Sequence, residues 1–242
     1  MPATLSGQHQ VSGKATKVAV KIDTALSSHR LSRHLSLLWQ NIAWLKRRPN
    51  APRRDISEKI AAMERICVQA ISMMRLRSNK ALSDQREINL RTLLAQAVGI
   101  VGEELTPSEN KHVSVMNRLD LRVEAEGFLT LHALVNLLEN ALTATMRGGT
   151  IDVRTSQDKN NARVQICNPG RRFTREELDK FFQPGESSGL QDGHLGLGLP
   201  LAKMTIEGFG GSLTLSSPRQ GGVRALVRLP LFLDNTKSNV TK

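Results

Sequence analysis

The stretch from Phe128 to Arg147 constrains this chain more than any other. Its apolar residues recur at helical spacing through Leu131-His-Ala-Leu-Val-Asn-Leu-Leu-Glu-Asn-Ala-Leu. Asn136 and Asn140 lie four residues apart, so they share one face of the predicted helix while the opposite face is apolar. Such a helix must bury its apolar side in a core and hold its two amides at the edge of that core. An amide oxygen placed there can coordinate Mg2+ without adding charge, which suits a site already filled with phosphate. Two asparagines alone are more often surface or capping residues. What surrounds them decides their role.

Around this helix the sequence alternates between helical and strand periodicity. Residues 88–104 are predicted helical, 113–117 and 119–124 read as strands, and 151–155 and 163–167 read as strands flanking a polar turn at 158–161. Residues 176–182 and 199–209 read as helices, and 212–216 and 223–229 as strands paired around a Gly-Gly turn. The pattern predicts an α+β sandwich, with helices on one face of a mixed, largely antiparallel sheet.

The front of the chain has a different texture. Residues 1–16 are polar and turn-rich and are predicted disordered, as is the tail 234–242. From Lys17 to Arg47, Val20, Ala25, Leu31, Leu35, Leu38, Ile42 and Leu45 keep helical spacing. Pro49, Asn50 and Pro52 break the run, and Asp55 with Glu58 three residues later reads as a helix N-cap box. A second helix follows through Ile60, Met63, Ile66, Ala70, Met73 and Leu76. The predicted hairpin, residues 17–82, has apolar stripes that it cannot cover alone, which predicts dimerisation into a four-helix bundle.

After the asparagine helix, glycine motifs follow in order. Asn168-Pro169-Gly170 ends a strand, Phe182-Gln-Pro-Gly follows a short helix, and Gly193-His-Leu-Gly-Leu-Gly-Leu-Pro-Leu-Ala-Lys leads into an apolar helix. Gly196 and Gly198, with Leu197 between them, would turn backbone N–H groups and a helix N-terminus towards phosphate oxygens. A lone Gly-x-Gly is an ordinary tight turn, but the ordered set is more specific. The succession NLLENA, NPG, FFQPG, GHLGLGL, GFGGSLTLSS and GGVRALVRLPL resembles the N, G1, F, G2 and closing-strand motifs of histidine kinase ATP-binding domains. These belong to a wider family with gyrase B and Hsp90.

The resemblance covers about Leu90 to Leu233, within a predicted domain of residues 88–233. It implies an α/β sandwich that holds ATP between the N-box helix and a Gly-rich lid. It implies that Asn140 is the Mg2+ ligand and Asn136 the catalytic polar residue one turn earlier. Asn168 and Gly170 fall at the adenine end, and Gly196, Leu197 and Gly198 at the phosphate loop. Four positions depart from the pattern. Asn168 stands where the family usually has an Asp, and a neutral amide oxygen is a weaker acceptor than a carboxylate. Arg172 replaces the second Gly of DxGxG, Thr143 a Lys common after the N box, and Val223 a Thr of the closing strand. Together they imply a weakened hold on ATP.

With such a domain behind it, His29-Arg-Leu-Ser-Arg-His-Leu-Ser-Leu-Leu in the hairpin resembles the H box, with His29 at the phospho-acceptor and Leu31 and Leu35 in register. An exposed, unprotonated imidazole nitrogen can attack a γ-phosphoryl group held in line. Without that domain, His29 reads as a surface histidine of a basic helix. Arg30 replaces the acidic residue that would orient the imidazole, Arg33 a polar residue, and His34 the usual Pro or Asn. The two arginines could pair with a phosphoryl group or dock an acidic receiver domain. His34 is the second candidate acceptor, ranked behind His29.

Composition bounds what remains. Aromatics are 3% of the 242 residues, with no Tyr, so the core must be aliphatic and base stacking on nucleic acid is disfavoured. No apolar run of membrane-spanning length occurs, the N-terminus lacks a signal peptide's apolar stretch, and Cys67 and Cys167 have neither metal nor disulfide spacing. A cytoplasmic protein is expected. The net charge of +12 is concentrated in residues 1–86, where 16 basic residues face 5 acidic ones. A solvated helical surface, an acidic protein partner or nucleic acid would each account for it.

The expected function is that of a dimeric two-component histidine kinase that autophosphorylates His29 with Mg-ATP and passes the phosphoryl group to an Asp of a response regulator. The alternative is a histidine phosphotransferase or pseudokinase on the same scaffold, relaying phosphate without ATP turnover. An anti-sigma-type binding protein is a third reading, which the acceptor-like hairpin opposes.

Overall fold

The structure, a computed structural model, describes residues 24–77, 85–103, 105, 110–116, 119–183 and 196–232. It opens with a hairpin of α1 (Thr24–Arg47) and α2 (Arg53–Arg77). The turn between them is closed by N–H donation from Arg48 to the Leu45 carbonyl at 3.3 Å and from Ala51 to the Arg48 carbonyl at 3.1 Å. The helix α2 starts earlier than an Asp55 cap would allow. The carbonyl of Pro52 accepts its first helical bond, from Ile56 N at 3.2 Å. Asp55 therefore lies inside the first turn, where its charge meets the positive end of the helix dipole.

Behind the hairpin stands a two-layer sandwich. In chain order it comprises β1 (Arg86–Asn89), α3 (Leu90–Glu103), β2 (His112–Met116), β3 (Arg122–Ala125), α4 (Gly127–Ala144), β4 (Thr150–Gln157) and β5 (Asn161–Asn168). It continues with α5 (Arg175–Lys180), α6 (Gly198–Gly208), β6 (Ser212–Ser216) and β7 (Val223–Pro230). The main sheet has the order β2-β4-β5-β7-β6, with β2 parallel to β4 and the other pairs antiparallel. This is the α+β sandwich that the periodicity predicts. One element differs. Residues 86–89 pair with β3, from Arg86 opposite Ala125 to Asn89 opposite Arg122, and the helix predicted from Ile88 begins only at Leu90. Asn89 Oδ1 caps that helix by accepting from Thr92 N at 3.1 Å.

Alternation along the strands sends one set of side chains into the core. Ile151 and Val153, Ala162, Val164 and Ile166, Leu213 and Leu215, and Ala225, Val227 and Leu229 are all buried in a single cluster with residues of α3, α4 and α6. Leu94, Leu134, Leu138, Ile151, Ile206 and Leu229 are wholly inaccessible. At the usual worth of a buried aliphatic side chain, these six contribute on the order of 10 kcal/mol.

The helix α4 is held at both ends. Glu126 caps it by accepting from Leu129 N at 2.7 Å. At the other end the Thr145 hydroxyl donates to the Ala141 carbonyl at 2.6 Å. Its core side is lined by Leu129, Ala133, Leu134, Leu137, Leu138 and Ala141, which leaves Asn136 half-buried and Asn140 exposed at the rim.

Among the described residues, hairpin and sandwich meet around Ile66 and around Arg75. Ile66 of α2 is fully buried against Leu197 and Leu201 at the start of α6, with Leu37, Leu38, Met73 and Leu76 around them. Arg75 of α2 pairs with Glu126 at 3.0 Å and lies over the Phe128 ring at 4.7 Å. Glu126 thus caps α4 and binds the hairpin with the same carboxylate.

Candidate functional site

The rim of α4 faces the start of α6. A β-carbon on Gly198 would stand 3.3 Å from Asn136 Oδ1 and 3.5 Å from Asn140 Nδ2, so the missing side chain is what lets the two helices approach. Asn140 Nδ2 donates to the Asn136 carbonyl at 2.5 Å. With its amide nitrogen turned to the helix, Asn140 presents its amide oxygen, the group that a hard cation prefers.

The start of α6 has features that could hold an anion. Leu197 stands at the N-cap and makes no side-chain cap bond, so its side chain leaves the first N–H groups of the helix unsatisfied. The helix dipole adds partial positive charge at that end. Gly196 turns the chain into the helix with φ 63, a backbone region that costs glycine little. The Leu197 side chain itself is 7% exposed and packs on Ile66 and Leu201. What it can offer a phosphate is its backbone.

A second wall forms where β5 ends. Asn168 is 9% exposed and lies opposite Val223 of β7. Its Nδ2 donates to the Pro169 carbonyl at 3.0 Å. The opposite amide orientation would set two oxygens against each other at that distance, so Oδ1 is the atom left to accept from a ligand. Glycine at 222 brings β7 hard against this segment, since a β-carbon there would fall 2.0 Å from the Asn168 carbonyl oxygen.

The following loop is braced separately. Arg171 pairs with Glu177 at 2.9 Å and covers the Phe173 ring at 3.9 Å. Glu177 also closes a capping box with Thr174 at the start of α5. The Arg171 guanidinium, followed by the Thr174 N–H, holds the Glu177 carboxyl below its ordinary value. Arg172 and Thr143 are exposed.

The structure therefore brings together Asn136, Asn140 and Gly198, with Gly196 and Leu197 leading into the same helix end, while Asn168 and Gly170 form the β5 wall beside Gly222 and Val223. His29 lies in α1, and its side chain and those of Arg30 and Arg33 lie outside the described residues, as do Pro184 to Leu195. His34 has no accessible surface, which removes it as an acceptor for an incoming phosphoryl group. Sequence reasoning missed the link to the hairpin through Ile66, Arg75 and Glu126. No local pattern marks residues that meet only across a domain contact, although a Glu directly before a helix does carry a weak capping signal.

Chemically, the site offers neutral amides, a helix N-terminus that its N-cap side chain does not cap, and an acceptor for an amino group. Comparison with known proteins agrees. Residues 126–233 match the family described as histidine kinase-, DNA gyrase B-, and HSP90-like ATPase. The sensor protein CiaH of Streptococcus pneumoniae is 25% identical over 223 residues, which is 87% of this chain and 49% of CiaH. The chain thus spans about half the length of the curated relatives it matches. The solved catalytic domain of histidine kinase ThkA is 27% identical with a TM-score of 0.53, covering 61% of this chain and 95% of that domain. ThkA in complex with the response regulator TrrA shares the fold over 90% of this chain and 64% of that one, at 21% identity and a TM-score of 0.57. Residues 126–233 are thus similar to the histidine kinase-, gyrase B- and HSP90-like ATPases, and the chain as a whole is similar to sensor histidine kinases.

Proposed function

We propose that this chain is the kinase part of a two-component system: a homodimer that binds Mg-ATP, phosphorylates its own His29 and hands the phosphoryl group to an Asp of a response-regulator receiver domain. The observation that carries the reading is the close approach of Asn136 and Asn140 to Gly198 at the start of α6, whose N-cap side chain makes no cap bond. Asn140 Oδ1 would hold Mg2+, which when bound offsets the charge of the triphosphate. Asn136 and the N–H groups of α6 would orient the phosphates, and Asn168 Oδ1 would accept from the adenine amino group. The His29 nitrogen then forms its bond to the γ-phosphorus as the bond from phosphorus to the ADP oxygen breaks.

Other features support the remaining parts. Leu35, Ile60, Ile71 and Met74 expose large apolar side chains along the hairpin, in line with a second hairpin packing against them. The basic front of the chain suits an acidic receiver, and ThkA has been solved with a response regulator. No described helix is long and apolar enough to cross a membrane, and we assign the site to the cytoplasm, where its nucleotide is found.

Incubation with γ-labelled Mg-ATP tests the assignment. Acid-labile, alkali-stable label is expected on the protein and is lost in His29→Ala. Label retained by that variant would refute His29 as acceptor. No label together with no nucleotide binding would overturn the kinase reading itself.

A further inference from the structure

The turn end of the hairpin concentrates a large part of the positive charge of the chain's front. Between residues 46 and 59, Lys46, Arg47, Arg48, Arg53, Arg54 and Lys59 face only Asp55 and Glu58, six cations against two carboxylates. All but Lys59 of these cations are exposed. Lys46 and Arg47 are the last two residues of α1, pointing about 100° apart, and Arg48 follows directly in the turn, so the charge spreads around the helix end. Arg53 and Arg54 continue the ring across the turn. A partner approaching from one side would meet part of this ring, whereas a flat anionic surface met end-on would meet all of it.

The end is also free to reach such a surface. The hairpin touches the sandwich around Ile66, Met73, Arg75 and Leu76. From Ile66 back to Arg53, α2 extends about 20 Å beyond that contact at the usual helical rise. Both indoles lie beside these cations, with Lys46 6.0 Å from the ring centre of the exposed Trp39. Trp44 is half-buried, with Arg48 at 5.4 Å and Lys59 at 5.6 Å from its ring centre. Cations over the ring leave it poorly available for stacking on bases, which counts against single-stranded nucleic acid. An indole flanked by Lys and Arg is instead the combination that settles at a bilayer's headgroup level.

We propose that this end of the hairpin docks on an anionic phospholipid surface, with the ring of Lys and Arg meeting the headgroups and Trp44 at their depth. Clusters of basic residues of this size are attracted by anionic leaflets and released by salt. This rests on the tip alone and is independent of His29 phosphorylation.

The test uses the full chain in a Trp39→Phe background, which leaves Trp44 as its single indole because the chain has two Trp. Vesicles of phosphatidylcholine alone are compared with vesicles that also contain phosphatidylglycerol, reading co-sedimentation and Trp44 emission. Binding to the anionic vesicles only, with a blue shift of Trp44, is expected. The triple variant K46Q/R47Q/R53Q, at three exposed positions, should weaken it on the order of 100-fold. Failure to bind anionic vesicles would overturn the proposal. So would binding that leaves Trp44 emission unchanged or survives the triple variant, since another basic surface would then be responsible. Duplex DNA that shifts Trp44 emission at a salt concentration where vesicles do not would assign the tip to nucleic acid.

Discussion

A β-carbon at position 198 would stand 3.3 Å from Asn136 Oδ1, a few tenths of an ångström inside ordinary contact. Two effects of Gly198→Ala then compete. Gly198 opens α6 at a negative φ that alanine can also adopt, and such a replacement stabilises by about 0.4–1 kcal/mol through the unfolded chain. Against this, Asn136 must swing aside. Its side chain is half-buried, and leaving a preferred rotamer costs about 0.5–1.5 kcal/mol. The two nearly cancel, so thermal unfolding without nucleotide should move by no more than about 3 °C. Binding should not be spared. A hydrogen bond to a charged group is worth about 1.5–3 kcal/mol, so displacing Asn136 from the phosphates should weaken Mg-ATP about 10- to 100-fold. Calorimetry with Mg2+ and a non-hydrolysable ATP analogue, beside a melting curve, reads both quantities. Unchanged affinity at unchanged stability would show that this helix contact does not line the nucleotide site. A fall in melting temperature well beyond that range would show that the contact is structural.

Two further outcomes follow from packing and charge. Ile66→Ala empties a fully buried position in the small cluster joining hairpin and sandwich, and the lower end of the range for such truncations, about 2 kcal/mol, shifts docking roughly 30-fold towards the separated form. Small-angle scattering should show a larger radius of gyration, and an unchanged radius would mean that the contact is dispensable. Asp158 is pushed down to about 2 by the Asn160 backbone N–H, aided by Arg163 and Asn161. Because its folded value lies below its ordinary 3.8, its contribution to stability is full above that value and fades as the pH falls towards 2. The stability gap between the native chain and Asp158→Asn should therefore shrink on acidification, and a gap that stays constant would contradict the assigned turn.

Most of the sandwich was legible because its elements follow their own periodicity. The strands β4 to β7 alternate cleanly, and α4 carries its apolar face through five turns, so tertiary contacts only reinforced what the pattern stated. Where the pattern was silent, the reading failed. Arg86-Glu-Ile-Asn has no alternation, and only its ladder with β3 makes it a strand. Asp55 and Glu58 mimic a cap box, but the Pro52 carbonyl had already opened the helix. At the site, the Asn136, Asn140 and Gly198 group was anticipated because each residue sits in a local motif. The inward turn of Leu197 was not, because its partner Ile66 lies far off in sequence and nothing near either residue announces the other.

Leu197 faces two ways: its backbone opens the helix proposed to receive phosphate, and its side chain packs against Ile66. Glu126 repeats the arrangement at the far end of α4, capping the helix and holding Arg75. Nucleotide binding and hairpin docking are thus two equilibria written on shared residues. Their coupling is reciprocal by thermodynamic necessity: whatever factor ATP imposes on docking, docking imposes on ATP. A signal that reaches only the hairpin has, through these two side chains, a way to set how tightly the remote pocket holds its nucleotide.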